Sequence, residues 1–210
     1  MNSLLTEVLP MFPLGSVLFP SMILPLRVFE PRYREMTADV LSGDQRFGVV
    51  MIERGSEVGG GDVRAGVGCV ATVLQSEEQA DGQWFLVCVG TSRFRVVDWL
   101  DDDPYPRARI EPWDDPPADQ ALSEAVAALE RPFRTVLALA AELDEWSVPL
   151  TIALSEDPVL ATHQMSAVSP FGPLDRHRLL SAPTASERAE LLGVMFDDAA
   201  EMLRAQLGSD

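Results

Sequence analysis

The sequence contains no lysine, since all sixteen of its basic residues are arginine. A P-loop nucleotide site needs a lysine on the β- and γ-phosphates, and Ser-Lys dyads, Schiff bases and pyridoxal sites each need a lysine amine. The segment GVGCVA, residues 66–71, matches the pattern G-x-G-x-x-A, but a strand-like run follows it where a dinucleotide site needs a helix N-terminus. These 210 residues therefore offer none of these cofactor or nucleophile chemistries.

Histidine and cysteine are also scarce, with two of each. His163 and His177 have no second ligand-type residue at zinc-binding spacing, and neither a C-x-x-C pair nor a G-x-S-x-G elbow occurs. Neither Cys69 nor Cys88 lies at a predicted turn or helix start, the positions that lower a thiol pKa. We therefore expect no catalytic residue, no metal and no cofactor. So few cysteines favour a reducing cytoplasm over a disulfide framework.

Basic residues are outnumbered by 33 acidic residues, which gives a net charge of -17. A field of that sign repels phosphate backbones and anionic lipid surfaces. The N-terminal MNSLLTEVLPMF lacks the basic segment of a signal peptide, and no run approaches eighteen apolar residues. The composition therefore predicts a cytoplasmic protein with neither a nucleic-acid nor a membrane partner.

The two halves of the sequence differ in periodicity. In the first half, short apolar runs separated by glycine and proline predict strands, interrupted by one helix from Pro31 to about Gly43. After WDDPPADQ, residues 113–120, apolar residues recur with the period of a helix. We expect a β lobe over residues 1–116 and an α-helical lobe over residues 117–210.

One hairpin is predicted at the dipeptide Asp81-Gly82, which favours a two-residue type I′ turn. In that register Cys88 faces Gln75 and lies far from Cys69 along the ladder. Both cysteines are therefore expected to be free thiols.

The stretch PLRVFEPRYREM, residues 25–36, permits two interpretations. In the first it is an active site, with Glu30 as a base and Arg32 or Arg34 as an anion clamp. In the second it is a corner of the fold, with Phe29 anchored in the core and Glu30 at a helix start. A carboxylate flanked by arginines is a poor base near neutrality, so we favour the corner.

Several segments of the first half together resemble the N-terminal substrate-binding domain of Lon proteases, best in its stand-alone bacterial versions: FPLGSVLFPSMILPLRVFEPRYREM, FGVV, GVGCVATVLQ, DGQWFLVCVGTSRFRVVDW and YPRARIEPW. The helical half resembles the α-helical lobe of that family. The resemblance implies an α+β fold, with a PUA-like antiparallel β pseudo-barrel lobe followed by a small α-helical bundle lobe. The ATPase and Ser-Lys peptidase modules of full-length Lon proteases are not in this sequence, so we expect a non-catalytic protein.

By analogy, the resemblance implies recognition of exposed hydrophobic or unfolded polypeptide segments in protein quality control. The expected partners are unfolded or degron-bearing proteins and, in addition, an ATP-dependent protease. The candidate binding residues are apolar residues of one turn and aromatic residues near helix connections, where they would line a cleft between the lobes: Phe19, Pro20, Met22, Ile23, Trp146 and Phe171. Burial in the core is the alternative for each of them.

Two other functions stay open. PUA-like barrels are related in shape to RNA-reading modules, so a small-molecule or RNA-binding module is one alternative. A basic stripe would mark an RNA reader, and Arg93 and Arg95 form a compact arginine pair on one strand face. The other alternative is a scaffold or regulatory partner of an ATP-dependent protease.

Overall fold

The computed structural model describes residues 6–55, 63–143 and 151–208. The chain divides into two compact units, Met1–Asp114 and Asp115–Asp210. In these described ranges the first unit holds six strands and one helix and the second holds four helices, which confirms the α+β class. The division falls two residues before the predicted boundary at residue 116.

The first unit, called the β unit below, is built on one mixed sheet. Its elements in chain order are β1 (Glu7–Leu14), β2 (Ile23–Val28), α1 (Pro31–Ser42), β3 (Arg46–Arg54), β4 (Val63–Glu78), β5 (Trp84–Trp99) and β6 (Arg107–Pro112). The strand order is β2-β5-β4-β3-β1-β6, and β6 pairs again with β5, which closes a barrel. The β1–β3 pair is parallel, and the other described pairs are antiparallel.

Strand β5 pairs with β4 along one edge, and it is long enough to pair with two further strands along its other edge. Its first half, from Trp84 to Val89, pairs with β2, and its second half, from Phe94 to Trp99, pairs with β6. Strand β2 therefore lies outside the closed barrel as an edge strand. Alternation along β2 sends Val28 into the core, whereas Ile23 is 52% exposed.

The main core of the β unit lies between the sheet and α1. The rings of Phe12 and Tyr33 stack there with centroids 4.4 Å apart, and Phe47 lies 6.1 Å from Phe12. A smaller apolar cluster around Met11 and Phe94 fills another part of the barrel. The helix begins and ends where the sequence predicts, with Pro31 at its first position and Gly43 after its last turn.

The hairpin between β4 and β5 differs from the prediction. Gln79 and Gln83 pair across it, since Gln79 N donates to Gln83 O at 2.8 Å, and they enclose a three-residue loop. Gly82 has a φ of +76°, the left-handed conformation that closes such loops after a type I turn. The predicted two-residue type I′ turn is therefore wrong, although its glycine does adopt a positive φ.

The extra loop residue and a bulge in β4 shift the register. Cys88 faces Val73, not Gln75 as predicted, and Cys69 faces Arg93. Both cysteines are buried free thiols, which confirms the prediction that they do not pair.

We expect both thiols to be unreactive in the native protein. Burial raises the pKa of Cys69 and of Cys88 to about 12. Because the thiolate is the reactive form, its population at pH 8 falls to about one in ten thousand. An aromatic disulfide reagent should therefore count no thiol in the native protein and two after denaturation. Fast labelling of either cysteine in the folded protein would contradict this burial.

The second unit, called the helical unit below, contains α2 (Gln120–Glu142), α3 (Pro158–Val168), α4 (Pro173–Leu180) and α5 (Ala185–Leu207). The sequence predicts N-caps at Asp157, which precedes Pro158, and at Thr184, which lies three residues before Glu187, and both are confirmed. The Asp157 carboxylate accepts from Val159 N at 2.9 Å, and the Thr184 hydroxyl accepts from Glu187 N at 3.2 Å. Helix α2 continues through Pro132, where the sequence predicts a kink or a restart.

The buried face of α5 also differs from the prediction. Sequence periodicity places Leu191, Val194, Met195, Met202 and Leu203 on one apolar stripe. In the structure Met195 and Leu203 are buried, whereas Val194 and Met202 are 60% and 62% exposed. The buried stripe instead continues through Leu192, Phe196 and Ala200, which recur every three to four residues.

Candidate functional site

The predicted apolar turn is tied into the sheet. Met22 N donates to Phe19 O at 3.1 Å, Ser21 N donates to Gly90 O at 2.8 Å, and Gly90 N donates to Met22 O at 2.9 Å. Ser21 has a φ of 61°, which suits the third position of a type II turn after Pro20. Phe19 and Pro20 are both buried, so neither side chain is available to a ligand.

The other predicted binding residues have separate surroundings. Met22 is half-buried and packs against the main core, whereas its neighbour Ile23 is exposed. Phe171 belongs to the helical unit and is half-buried, with its ring stacked 5.8 Å from that of Phe196. Trp146 lies outside the described residues. Of the five predicted residues that the structure describes, Ile23 is the one that is largely exposed.

Ile23 belongs to a larger apolar surface on the outside of β2, β5 and β4. The register pairs Ile23 with Val89, and Arg27 with Phe85. Phe85 is exposed, Val89 is half-buried, and Leu74 is exposed in the bulge of the adjacent strand β4. We call Ile23, Leu74, Phe85, Val87 and Val89 the outer apolar face. Several exposed apolar side chains close together on one face of a sheet are typical of a contact site.

A groove of about 210 Å³ runs beside this face where β2 leads into α1. We call it the β2 groove; it is lined by Phe12, Leu14, Pro25, Leu26, Arg27, Val28, Phe29, Glu30 and Tyr33. Phe29 is 52% exposed, so the prediction that it anchors the core is wrong. Val28 occupies the inward position, and alternation turns the next side chain outward.

The corner interpretation of PLRVFEPRYREM agrees with the local geometry. Glu30 is extended at the N-cap, with Pro31 following it at the first helical position. Arg32 Nε donates to Glu30 Oε2 at 3.2 Å, and the Arg32 guanidinium lies 4.5 Å from the centroid of the Tyr33 ring. Glu30 thus helps to fix the chain as it turns, and it also forms part of the groove wall.

The predicted arginine pair is engaged in stacking. The Arg93 and Arg95 guanidinium carbons lie 4.4 Å and 3.7 Å from the centroid of the Trp113 ring. Arg93 is also buried. This pair therefore stabilises the β unit as a stacked cluster and does not form an exposed basic stripe.

The helical unit holds a buried polar cluster that sequence reasoning missed. Arg188 Nη2 donates to both Asp115 carboxylate oxygens, at 2.8 Å and 2.7 Å, and His163 Nε2 lies 3.2 Å from Asp115 Oδ2. All three side chains are nearly inaccessible to solvent. Residues so far apart in sequence give no local pattern that would predict their contact. Because no substrate reaches these groups, we interpret the cluster as structural.

Within residues 6–55, 63–143 and 151–208, no group of three or more histidine, cysteine, aspartate or glutamate side chains is placed to hold a metal ion. In the same ranges no helix is sufficiently long and apolar to cross a membrane.

Comparison with known proteins identifies the family. The model of the ATP-dependent protease La (LON) substrate-binding domain matches residues 8–197. The chain belongs to this family. Lon protease 2 of Myxococcus xanthus is 31% identical over 160 residues, which are 74% of this chain and 19% of that protein. The Lon protease of Anaeromyxobacter dehalogenans is 33% identical over 159 residues, 73% of this chain and 19% of that protein. The chain thus spans about a fifth of the length of these curated relatives.

Solved Lon domains share the fold. The Lon N-terminal domain protein of Xanthomonas campestris superposes with a TM-score of 0.65 at 26% identity, covering 90% of this chain and 98% of the other. The N-terminal domain of the Mycobacterium avium complex Lon protease gives a TM-score of 0.64 at 17% identity, covering 91% and 99%. The expected α+β, PUA-like fold of a Lon N-terminal domain is thereby confirmed.

Proposed function

We propose that this Lon substrate-binding domain binds exposed apolar segments of unfolded or degron-bearing polypeptides, through the outer apolar face and the β2 groove. The observation that supports this most directly is the exposure of Ile23, Phe29 and Phe85 on one side of the β unit of a domain from a substrate-binding family. We also propose that the domain is itself non-catalytic and works in cytoplasmic protein quality control, in partnership with an ATP-dependent protease. The relatives that carry this domain are named Lon proteases, which favours that partnership.

The β2 edge favours binding through side chains over the addition of a client strand. Gly90 N donates to Met22 O, so the backbone of Met22 faces β5. Alternate residues of an antiparallel strand bond to the same partner, so the backbone groups of Ile23, Pro25 and Arg27 point away from β5, to the free edge. Proline has no N–H to donate, which is why it is tolerated in an edge strand and why it disrupts a further ladder there. Specificity would then come from apolar side chains entering the groove.

We expect micromolar affinity for an unfolded chain. A groove of about 210 Å³ has room for one or two large side chains. Ordering a flexible client opposes the free energy gained by burying those side chains. A folded protein that presents no such segment should bind hardly at all.

The test is a pair of double variants in the β unit. Ile23→Ser with Phe29→Ser removes two exposed apolar side chains of the proposed site, and Val8→Ser with Val97→Ser removes two of similar exposure elsewhere. We expect the first double variant to bind a labelled unfolded polypeptide about tenfold more weakly, because each substitution removes apolar surface that the client would bury. The control double variant should bind like the wild type. Both double variants should melt within about 3 °C of the wild type.

Fluorescence anisotropy of the labelled chain measures the affinity. If the wild type binds no unfolded polypeptide, the proposed function is wrong. If both double variants lose affinity equally, the function stands but the site lies elsewhere.

A further inference from the structure

Arg27 and Arg34 of the β unit have no carboxylate partner among the residues that the structure describes. Arg27 Nε donates to the Gln83 side-chain oxygen at 2.9 Å, and its guanidinium carbon lies 5.7 Å from the centroid of the Phe85 ring. Arg34 extends from α1 to the β4–β5 turn, where its guanidinium lies against Gly82. Gly82 and Gln83 are adjacent, so both cations lie at the same end of the hairpin.

Some arginines of the same unit are neutralised by acidic residues. Arg46 bonds to Glu7 at 2.8 Å, and Arg64 bonds to Asp102 at 2.6 Å. The chain has 33 acidic residues against 16 basic ones, so acidic partners are abundant. A cation left without one beside an apolar groove therefore offers charge complementarity to an anionic ligand.

Arg27 is held in position for such a contact. Gln83, which accepts from Arg27 Nε, is itself fixed by Asp81: its backbone N–H donates to Asp81 Oδ1 at 3.0 Å and its amide donates to Asp81 Oδ2 at 2.7 Å. The arrangement restrains the guanidinium and leaves both terminal nitrogens available. A fork of two N–H donors is the geometry that a carboxylate prefers.

We infer that the β2 groove prefers an apolar client residue that has a carboxylate beside it, and that Arg27 binds this carboxylate. Arg27 and Phe29 both line the groove, so one client side chain can enter it while a carboxylate one or two residues away reaches the guanidinium. Arg34 adds to the local positive field. This inference rests on the proposed function and specifies which client segments the groove prefers.

The carboxylate has two sources, an aspartate or glutamate side chain or the free C-terminus of a polypeptide. Four labelled peptides separate them. The first is neutral, blocked at both ends and contains one phenylalanine; the second has an aspartate next to that phenylalanine. The third ends in phenylalanine with a free carboxylate, and the fourth is its C-terminal amide.

Each peptide is titrated by anisotropy into the wild type, Arg27→Gln, Arg27→Lys and the control Arg109→Gln. Arg109 is an exposed β6 arginine of the same unit, next to Asp98 at 3.6 Å, so its replacement makes the same change in charge. For an exposed contact, we expect a peptide with a carboxylate to bind the wild type about two- to fivefold more tightly than its neutral counterpart. Arg27→Gln should abolish that preference, Arg27→Lys should keep part of it and Arg109→Gln should keep all of it.

The preference should also decrease as salt increases, because an exposed ion pair is screened. Tight binding of the aspartate peptide alone, or of the free C-terminus alone, supports the inference and identifies the source. If neutral and acidic peptides bind the wild type equally, or if Arg27→Gln keeps the preference, the inference is wrong but the proposed function stands. If no peptide binds the wild type, the proposed function fails and the inference with it.

Discussion

Arg188→Met should lower the free energy of unfolding of the helical unit by about 3 to 5 kcal/mol, because it leaves a buried carboxylate without its counter-charge. Arg188 is fully buried in α5 and binds both oxygens of Asp115, and its Nη1 lies 3.2 Å from His163 Nε2. Methionine retains an unbranched apolar stem, so the change tests the charge more than the volume. Urea denaturation followed by far-ultraviolet circular dichroism reports the helices directly.

The matched control is Arg204→Met, at an exposed position of the same helix. Its effect should stay within about 0.5 kcal/mol, the usual range for surface substitutions. A double variant, Asp115→Leu with Arg188→Met, removes both charges and should recover much of the loss, since apolar replacements of buried ion pairs are often neutral. Equal stability of Arg188→Met and Arg204→Met would show that the buried cluster does not stabilise the helical unit.

Gly90→Ala should destabilise the β unit by about 3 kcal/mol through steric overlap. A Cβ at Gly90 would overlap the backbone oxygen of Phe19, lie 2.9 Å from its carbonyl carbon, and approach Cys69 Sγ to 3.1 Å. The Phe19–Met22 turn cannot move away easily, because two hydrogen bonds to Gly90 hold it. The same displacement would shift the start of β2, so binding to the β2 groove should weaken as well.

Gly66→Ala provides the control for this change. Gly66 lies in strand β4 of the same sheet, and a Cβ there meets no atom within 4 Å. Alanine should leave the stability unchanged or raise it by about 0.5 kcal/mol, because it restricts the unfolded chain. Thermal unfolding of the two variants in parallel measures the difference. Identical melting temperatures would mean that the turn yields to the added methyl group.

Local chemistry predicted some elements of the fold well. Pro31 and Gly43 bound α1 as expected, and Asp157 and Thr184 cap α3 and α5 through bonds to nearby backbone N–H groups. Each signal acts within one helical turn, so the sequence alone contains it. The Asp81-Gly82 dipeptide was less specific, because a glycine with positive φ fits both a two-residue turn and a three-residue loop.

Features that depend on packing were beyond such reasoning. An apolar turn such as Phe19–Met22 can be buried or exposed, and its burial depends on the contact with Gly90, which is distant in sequence. Phe29 was expected in the core, but the phase of β2 assigns the inward position to Val28. Two of the exposed apolar residues beside Ile23, Leu74 and Phe85, join the outer face through the pairing of β4 and β5, so the surface exists only in the folded sheet.

Under the proposed function, Pro25 at the free edge of β2 also affects how long a client stays bound. Without a growing ladder of backbone bonds, dissociation requires only that a few side chains leave the groove. At micromolar affinity, and with typical association rate constants, the residence time is on the order of a second or less. We therefore expect a client with one apolar segment to be bound only briefly. We expect a chain that presents several such segments to rebind before it diffuses away, so that its dwell time would increase with the number of exposed segments.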